Sequence, residues 1–117
     1  MKVLFLDDDR TRLDKARRSF IGCVFHEAET AEEAIRLLKE NSPYDLVSLD
    51  HDLGGQIYVQ SDEVSGYEVA IFIPTMDEDK LPKRIIIHSF NPVGAVNMQR
   101  VLEDGGIRSL RIPFDYS

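Results

Sequence analysis

The sequence is poor in the residues that build covalently stapled or membrane-inserted proteins. Its 117 residues include one cysteine, Cys23, and no tryptophan. A single cysteine cannot form an internal disulfide, and its apolar neighbours predict a buried small hydrophobic residue and not a reactive thiol. No apolar run approaches the roughly 20 residues that a membrane helix needs. Residues 1–8 have too short an apolar core for a signal peptide and no cleavage site, so we expect a cytoplasmic protein without membrane association.

Basic residues are also scarce. The chain has 14 lysines and arginines against 21 acidic residues, which gives a formal net charge of −7. Binding to the phosphate backbone of nucleic acids needs a basic stripe, so bulk nucleic-acid binding is not expected. A site for one small nucleotide or one RNA-end phosphate stays compatible with this charge, because a metal ion held by carboxylates supplies positive charge locally.

What is present is the composition of a globular domain, with 43% hydrophobic and 30% charged residues. The length predicts a single domain over residues 1–117 that buries a core without staples. Strands alternate with helices, which predicts an α/β fold: a flavodoxin-like, doubly wound, five-stranded parallel sheet in the order 2-1-3-4-5. The strands are expected at Lys2–Leu6, Cys23–Glu27, Leu46–Leu49, Arg84–His88 and Ile107–Ile112.

Cap residues mark the first two helices. Asp9 is a good N-cap for an amphipathic helix over residues 10–20 with its basic residues outside. Thr30 and Glu33 form a capping box that opens the second helix, which ends at residues 41–43.

The second half of the chain is marked by glycine and proline. Residues 54–65 lack periodicity and predict a long surface loop of the kind that often serves as a lid. A third helix is expected from Gly66 to about Ile73, where Pro74 should kink or end it. Asn91 can cap a fourth helix that stops after Leu102, before two glycines.

Polar side chains follow three strands that the predicted order makes neighbours. Because parallel strands share one carboxyl edge, these side chains should meet in one crevice. A polar turn, a solvated histidine or a helix cap at Asn91 would also explain them individually, but two histidines converging on carboxylates favour a functional site. The residues are Asp7, Asp8, Asp50, His51, Asp52, His88, Ser89 and Asn91.

At these positions the sequence resembles a response-regulator receiver domain. Val3-Leu-Phe-Leu-Asp-Asp resembles the first strand with its acidic pair, Tyr44-Asp-Leu-Val-Ser-Leu-Asp50 the strand ending in the phosphoacceptor aspartate, and Ser65-Gly66-Tyr67-Glu68 the downstream glycine motif. The resemblance implies a divalent cation, Mg²⁺ or another such as Mn²⁺, since carboxylate oxygens suit a hard cation. Its implied ligands are Asp7, Asp8, Asp50 and Asp52.

The sequence departs from ordinary receivers in ways that bear on signalling. Ile112 stands before Pro113 where receivers carry a lysine, and strand alternation should aim Arg111 at the other face. The final receiver helix is lacking, so we expect a homodimer or another partner to cover that flank of the sheet. Ordinary receivers also lack histidines at His51 and His88.

The motif from Leu49 to Gly55, together with His88-Ser-Phe-Asn-Pro-Val-Gly-Ala, resembles the cyclic-phosphate-processing receiver domains. This resemblance implies metal-assisted hydrolysis or transfer of a cyclic or terminal phosphate on a nucleotide or RNA end. Imidazoles titrate near neutrality, so His51 and His88 are predicted as acid and base in either order.

The remaining roles leave alternatives open. Asp50 is predicted to contribute to catalysis, and it could act as a covalent nucleophile. Ser89 and Asn91 are predicted to donate hydrogen bonds to phosphate. The alternative function is a divergent stand-alone receiver that acts as a phosphoaccepting or non-catalytic interaction module.

Overall fold

In the part of the chain that the structure describes, nine strands and α-helices alternate. A computed structural model describes residues 1–50, 66–89 and 92–112, so the predicted loop over residues 54–65 lies outside the described part. Within that part, no helix is both long and apolar enough to cross a membrane. The elements are β1 (Lys2–Leu6), α1 (Arg10–Ser19), β2 (Val24–Ala28), α2 (Ala31–Asn41), β3 (Leu46–Leu49), α3 (Gly66–Phe72), β4 (Arg84–Ile87), α4 (Pro92–Asp104) and β5 (Leu110–Arg111).

The five strands form one parallel sheet in the order β2-β1-β3-β4-β5, which confirms the predicted topology. Its register aligns Phe5 with Ser48 and Ser48 with Ile86. Because side chains alternate along a strand, the residues of one such row all lie on the same face of the sheet. The register therefore decides which side chains meet at the carboxyl edge.

Helices cover both faces of the sheet, as expected for parallel strands. One face carries the main core, in which aliphatic residues of β1, β3 and β4 pack against α2, α3 and α4. On the other face Phe5 packs against Leu13 and Ala16 of α1, with Phe25 beside them. The members of the main core on the strands are Leu4, Leu6, Val47, Leu49, Ile85 and Ile87.

The helix caps follow the sequence prediction closely. Asp9 caps α1, where its side chain accepts a hydrogen bond from the Arg12 amide at 3.1 Å. Thr30 caps α2 in the same way, by accepting from the Glu33 amide at 3.1 Å. After α3, a 3₁₀ turn over Ile73–Thr75 contains Pro74, which ends the helix.

The fifth strand is much shorter than predicted, covering two residues in place of six. The reason lies at the end of α4, which runs to Asp104. Gly106 adopts φ +80°, and the Ile107 amide donates to the Leu102 carbonyl at 2.8 Å. This is a glycine-based helix closure, so Ile107 belongs to the end of α4 and pairing with β4 begins only at Leu110.

Two other residues differ from or add to the sequence prediction. Cys23 is only half-buried, and not buried as predicted, because it lies in the turn before β2 with its amide bonded to the Phe20 carbonyl. His26 lies on the edge strand β2, and its Nδ1 is 2.7 Å from the hydroxyl of buried Tyr44.

At the opposite edge Leu110 and Ile112 are about half exposed. The expected homodimer through that flank stays a prediction.

Gly66→Ala should destabilise the protein, because α3 begins in contact with the end of β3. A Cβ atom at Gly66 would overlap the Asp50 carbonyl oxygen. One of the two backbones must therefore shift. We expect a loss of about 1–3 kcal/mol in the free energy of unfolding, measured by urea denaturation.

Gly22→Ala is the matched control for this substitution. Gly22 has φ +88° and no atom within 4 Å of the added methyl group, so the variant should lose roughly 1–2 kcal/mol through backbone strain alone. Only Gly66→Ala should also shift the NMR signals of the His88 ring. Unchanged His88 signals in Gly66→Ala would contradict the close contact between α3 and Asp50.

Candidate functional site

Three buried polar residues lie in one row just beyond the ends of β1, β3 and β4. The Asp50 amide donates to the Leu6 carbonyl at 3.1 Å, and the His88 amide donates to the Leu49 carbonyl at 2.9 Å. These bonds continue the ladder by one residue, which sets Asp7, Asp50 and His88 side by side on the α1 face. Each offers a ligand atom within 4.8 Å of the others. All three are at least 96% buried.

His88 is held on three sides. Its Nδ1 is 2.7 Å from the Ser48 hydroxyl, and its Nε2 is 3.1 Å from Oδ2 of Asp7. Its ring stacks on Phe5 with centroids 4.4 Å apart. An ionised carboxylate can only accept, so Nε2 carries the proton and Nδ1 accepts from Ser48. Both nitrogens of a neutral imidazole are thereby satisfied.

Burial favours this neutral form. It lowers the pKa of His88 below the ordinary value of 6.5, although the hydrogen bond and the charge of Asp7 oppose the shift. A neutral His88 that donates through Nε2 can orient a carboxylate. The imidazole therefore fixes Asp7 in position near neutral pH.

Asp7 receives four hydrogen bonds. Its Oδ2 accepts from Arg12 Nε at 2.6 Å and from His88 Nε2, and its Oδ1 accepts from Arg12 Nη2 at 2.9 Å and from the Asp9 amide at 2.9 Å. Burial raises the pKa of Asp7, but the bonds from His88, Arg12 and Asp9 outweigh it and lower the pKa to about 2. Asp7 is consequently ionised throughout the physiological pH range.

Arg12 also reaches the other carboxylates of the site. Its Nη2 lies 3.5 Å from Oδ2 of Asp50 and 3.9 Å from Oδ1 of Asp8, and its Nη1 lies 3.8 Å from Oδ2 of Asp9. The prediction that the basic residues of α1 face outward is therefore wrong for Arg12, whose side chain is 17% exposed. Helical side chains lean toward the N-terminus, so an arginine in the first turn of α1 reaches back over the strand ends.

The structure brings together part of the predicted site. Asp7, Asp50 and His88 form its centre, and Asp8 lies at its edge with a 19% exposed side chain. Ser89 is fully buried beside His88. The predicted residues His51, Asp52 and Asn91 lie outside the described residues.

Sequence reasoning missed Arg12 and Ser48. Ser48 had a detectable signal, because it is the polar residue of an apolar strand and stands two positions before Asp50, on the same face. Helical spacing gave no signal for Arg12, because Asp8, four residues before it, lies outside α1.

The edge strand bears out the expectation for Arg111. Arg111 pairs with Ile87, one position before His88, so its side chain points to the face opposite the site. The Ile112 amide donates to the Ile87 carbonyl at 2.9 Å, which puts Ile112 in the row of His88. A hydrocarbon therefore stands where a receiver carries lysine, and Arg12 approaches the carboxylates from α1 instead.

The donor set suits a hard divalent cation. Carboxylate oxygens of Asp7 and Asp50 are the ligands that Mg²⁺, Ca²⁺ and Mn²⁺ prefer. The imidazole of His88 is engaged with Asp7, which is the usual place of a group that orients a metal-binding carboxylate. Among the described residues, Asp7 and Asp50 could hold the ion directly, with Asp8 close by.

The parallel sheet in this order, with buried aspartates at the ends of β1 and β3, defines a receiver-type domain. A response regulator from Burkholderia pseudomallei, solved with a phosphorylated aspartic acid, a calcium ion and citrate, matches at a TM-score of 0.67 and 19% identity, covering 97% of this chain and 60% of its own. The chain belongs to the cyclic-phosphate processing receiver domain family, whose model matches residues 2–104. Both the predicted fold and the predicted family are confirmed.

Two other solved structures show the same fold. A CheY-like receiver domain protein from Methanospirillum hungatei has a TM-score of 0.65 and 20% identity, covering 97% of this chain and 82% of its own. The N-terminal domain of a three-domain response regulator from Carboxydothermus hydrogenoformans has a TM-score of 0.63 and 18% identity, covering 95% and 80%. A comparison with curated protein sequences found no significant match.

Ser48→Ala should leave the buried Nδ1 of His88 without a donor. We expect a loss of about 1–3 kcal/mol in the free energy of unfolding. Ser19→Ala is the control, because Ser19 is exposed on α1 and bonds only its own helix.

Nitrogen-15 NMR of the wild-type imidazole should show the proton on Nε2 at pH 7.5 and a titration midpoint below 6.5. A proton on Nδ1 would contradict the assigned hydrogen bonds.

Asp7→Asn should remove a contribution to the free energy of unfolding that the wild type loses at low pH. The folded pKa of Asp7 is about 2 and the ordinary value is 3.8, so its contribution is fully present above the unfolded pKa and is lost as pH falls toward 2. The stability difference between wild type and Asp7→Asn should therefore shrink between about pH 4 and 2. Above pH 4 it should widen as His88 takes up a proton, because Asp7 opposes the lowering of the His88 pKa. Urea denaturation across this range measures it. A difference that does not change with pH would count against the pairing of Asp7.

Proposed function

We propose that this protein is an enzyme that processes the cyclic or terminal phosphate of a nucleotide or RNA end, by hydrolysis or transfer. We further propose that a divalent cation, Mg²⁺ or Mn²⁺, assists the reaction. The observation that carries the proposal is the buried cluster of Asp7, Asp50 and His88 at the carboxyl edge of a sheet in this family. A net charge of −7 supports a small substrate held at one site over a long nucleic acid.

The cation would be held by Asp7 and Asp50, with Asp8 and Asp52 as the further predicted ligands. Bound there, it would neutralise charge that develops on the phosphate oxygens. His88, Arg12 and the Asp9 amide keep the Asp7 carboxylate ionised and oriented. The Burkholderia regulator carries a phosphorylated aspartic acid and a calcium ion, which supports a fold that accommodates both a divalent cation and a phosphate.

The burial of His88 supports a division of tasks between the two histidines. Both ring nitrogens of His88 already have partners, and only 3% of the residue is exposed. We therefore assign His88 the positioning of Asp7, and His51 the exchange of protons with the substrate. In hydrolysis of a cyclic ester, His51 would take a proton from the attacking water. As the bond from phosphorus to the ribose oxygen breaks, His51 would return that proton to the leaving oxygen.

The two predicted phosphate ligands, Asn91 and Ser89, have different roles in this proposal. Asn91 stays the predicted hydrogen-bond donor to phosphate. Ser89 is fully buried beside His88, which supports a role in fixing the strand end. Asp50 is only 4% exposed, and its carboxylate serves the cation in this scheme.

The alternative function is a receiver that accepts phosphate on Asp50 or acts as a non-catalytic interaction module. The position of Asp50 at the end of β3 favours this alternative. Ile112 is evidence against a phosphoaccepting receiver, because its side chain cannot provide the cation that a receiver lysine offers to a phosphorylated aspartate.

Turnover of 2′,3′-cyclic nucleotides in the presence of Mg²⁺, followed by phosphorus-31 NMR, tests the proposal. Asp50→Asn and His51→Ala should each lower turnover by about 100-fold or more, as expected for loss of a metal ligand or an acid-base group. His26→Gln is the control, because His26 contacts Tyr44 on the edge of the sheet. His88→Gln should lose turnover mainly at low Mg²⁺ and regain it at high Mg²⁺, and His51→Ala should not be rescued.

A parallel incubation with acetyl phosphate, followed by intact-mass measurement, tests the alternative. A stable phosphoprotein that disappears in Asp50→Asn, without turnover of cyclic nucleotides, would favour the phosphoaccepting receiver and overturn the enzyme proposal.

A further inference from the structure

We propose that Arg12 is an internal competitor of the divalent cation. Its guanidinium binds the same carboxylate oxygens that would hold the ion, so the ion binds only as Arg12 withdraws. Arg12 thereby sets the cation concentration at which the site fills. This inference rests on the proposed function, since it assumes that Asp7 and Asp50 are the ligands.

The inferred competition rests on the hydrogen bonds of Asp7. A carboxylate has about four lone-pair positions, and Asp7 uses four of them, two for Arg12 and one each for His88 and the Asp9 amide. A bond from Asp7 to a metal ion must therefore replace one of these donors. Asp50 is drawn into the same competition, because Arg12 Nη2 lies 3.5 Å from its Oδ2.

Arg12 is the donor that can leave. The Asp9 amide is fixed in the backbone at the helix cap, and the His88 ring is clamped between Ser48 and Phe5. Arg12 has a long, rotatable side chain that is partly exposed. Repulsion between a divalent ion and a guanidinium at these distances drives the same displacement.

The carboxylates at the rim offer Arg12 a second position. Asp8 and Asp9 already lie 3.9 Å and 3.8 Å from its guanidinium, and the Asp9 side chain is 43% exposed. A small rotation outward keeps Arg12 paired with Asp9 and frees the oxygens of Asp7. The arrangement is therefore suited to exchange between one internal and one external cation.

Titration of the protein with MnCl₂ alone, without nucleotide, tests this inference. Free Mn²⁺ is measured by electron paramagnetic resonance for the wild type, Arg12→Gln and Arg18→Gln. Arg18 lies exposed in the last turn of α1, so its variant removes the same charge away from the site. We expect Arg12→Gln to bind Mn²⁺ at least tenfold more tightly than the wild type, and Arg18→Gln to stay within twofold.

Thermal unfolding gives a second readout that an effect of net charge would not produce. Without Mn²⁺, Arg12→Gln should melt below Arg18→Gln, because four carboxylates lose their counter-ion. With Mn²⁺, its melting temperature should rise more than that of the wild type. Arg12→Lys keeps the charge but lacks the planar fork, so it should bind Mn²⁺ with intermediate affinity, and it serves if Arg12→Gln does not fold.

The outcomes separate the inference from the proposed function. Mn²⁺ binding that is lost in Asp50→Asn but is equal or weaker in Arg12→Gln than in the wild type overturns the inference and leaves the proposed metal site standing. Absence of Mn²⁺ binding in the wild type and in both Arg12 variants overturns the metal-assisted function itself, and the inference with it.

Discussion

The carboxylate of Asp7 is the group on which the arrangement of the site depends. Removing an ionised carboxylate from water costs several kcal/mol unless its oxygens are fully hydrogen-bonded and its charge is paired. The partners of Asp7 come from α1, from the helix cap and from the end of β4. A single buried charge on β1 therefore ties the first helix to the middle of the sheet.

The same requirement explains the difference between the two faces of the sheet. On the face of β1, β3 and β4 that lies opposite α1, the core is aliphatic and is covered by α2, α3 and α4. On the α1 side the central strand carries Ser48. Its side chain occupies less volume than an aliphatic one, and its hydroxyl forms the hydrogen bond to His88. Phe5 then supplies a flat apolar support under the imidazole. The polar cluster thus lies on one face of these strands, and the main aliphatic core lies on the other.

Much of this arrangement could be predicted from local pattern. The alternation of strands and helices and the caps at Asp9 and Thr30 depend on neighbours within a few residues. The flavodoxin-like order assumed for such an alternation was correct, and it predicted the meeting of Asp7, Asp50 and His88. The position of Arg12 could not be predicted from helical periodicity. Periodicity tells which face of a helix is apolar, but it does not tell how far a long polar side chain reaches toward a charge in another element.

The length of β5 escaped prediction for a related reason. An apolar residue such as Ile107 suits a strand by propensity, but here its amide closes α4 after a glycine in the left-handed region. Propensity ranks the possibilities within a segment, and the demand for hydrogen-bond partners at a helix end decides between them. The differences at Arg12 and at β5 therefore both arise where one element must satisfy groups of another.

The source of positive charge distinguishes this site from that of a signalling receiver. A lysine in the row of Ile112 would offer its charge to a phosphate on the aspartate. Here that row carries Ile112, and the arginine comes from α1 and is bound to the carboxylates themselves. Phosphate oxygens would be repelled by Asp7 and Asp50 alone. A cation that displaces Arg12 toward Asp8 and Asp9 would leave two positive groups, the ion and the guanidinium, at the carboxyl edge of the sheet. Under the proposed function, cation binding would then both neutralise the carboxylates and turn an internal counter-ion toward the substrate.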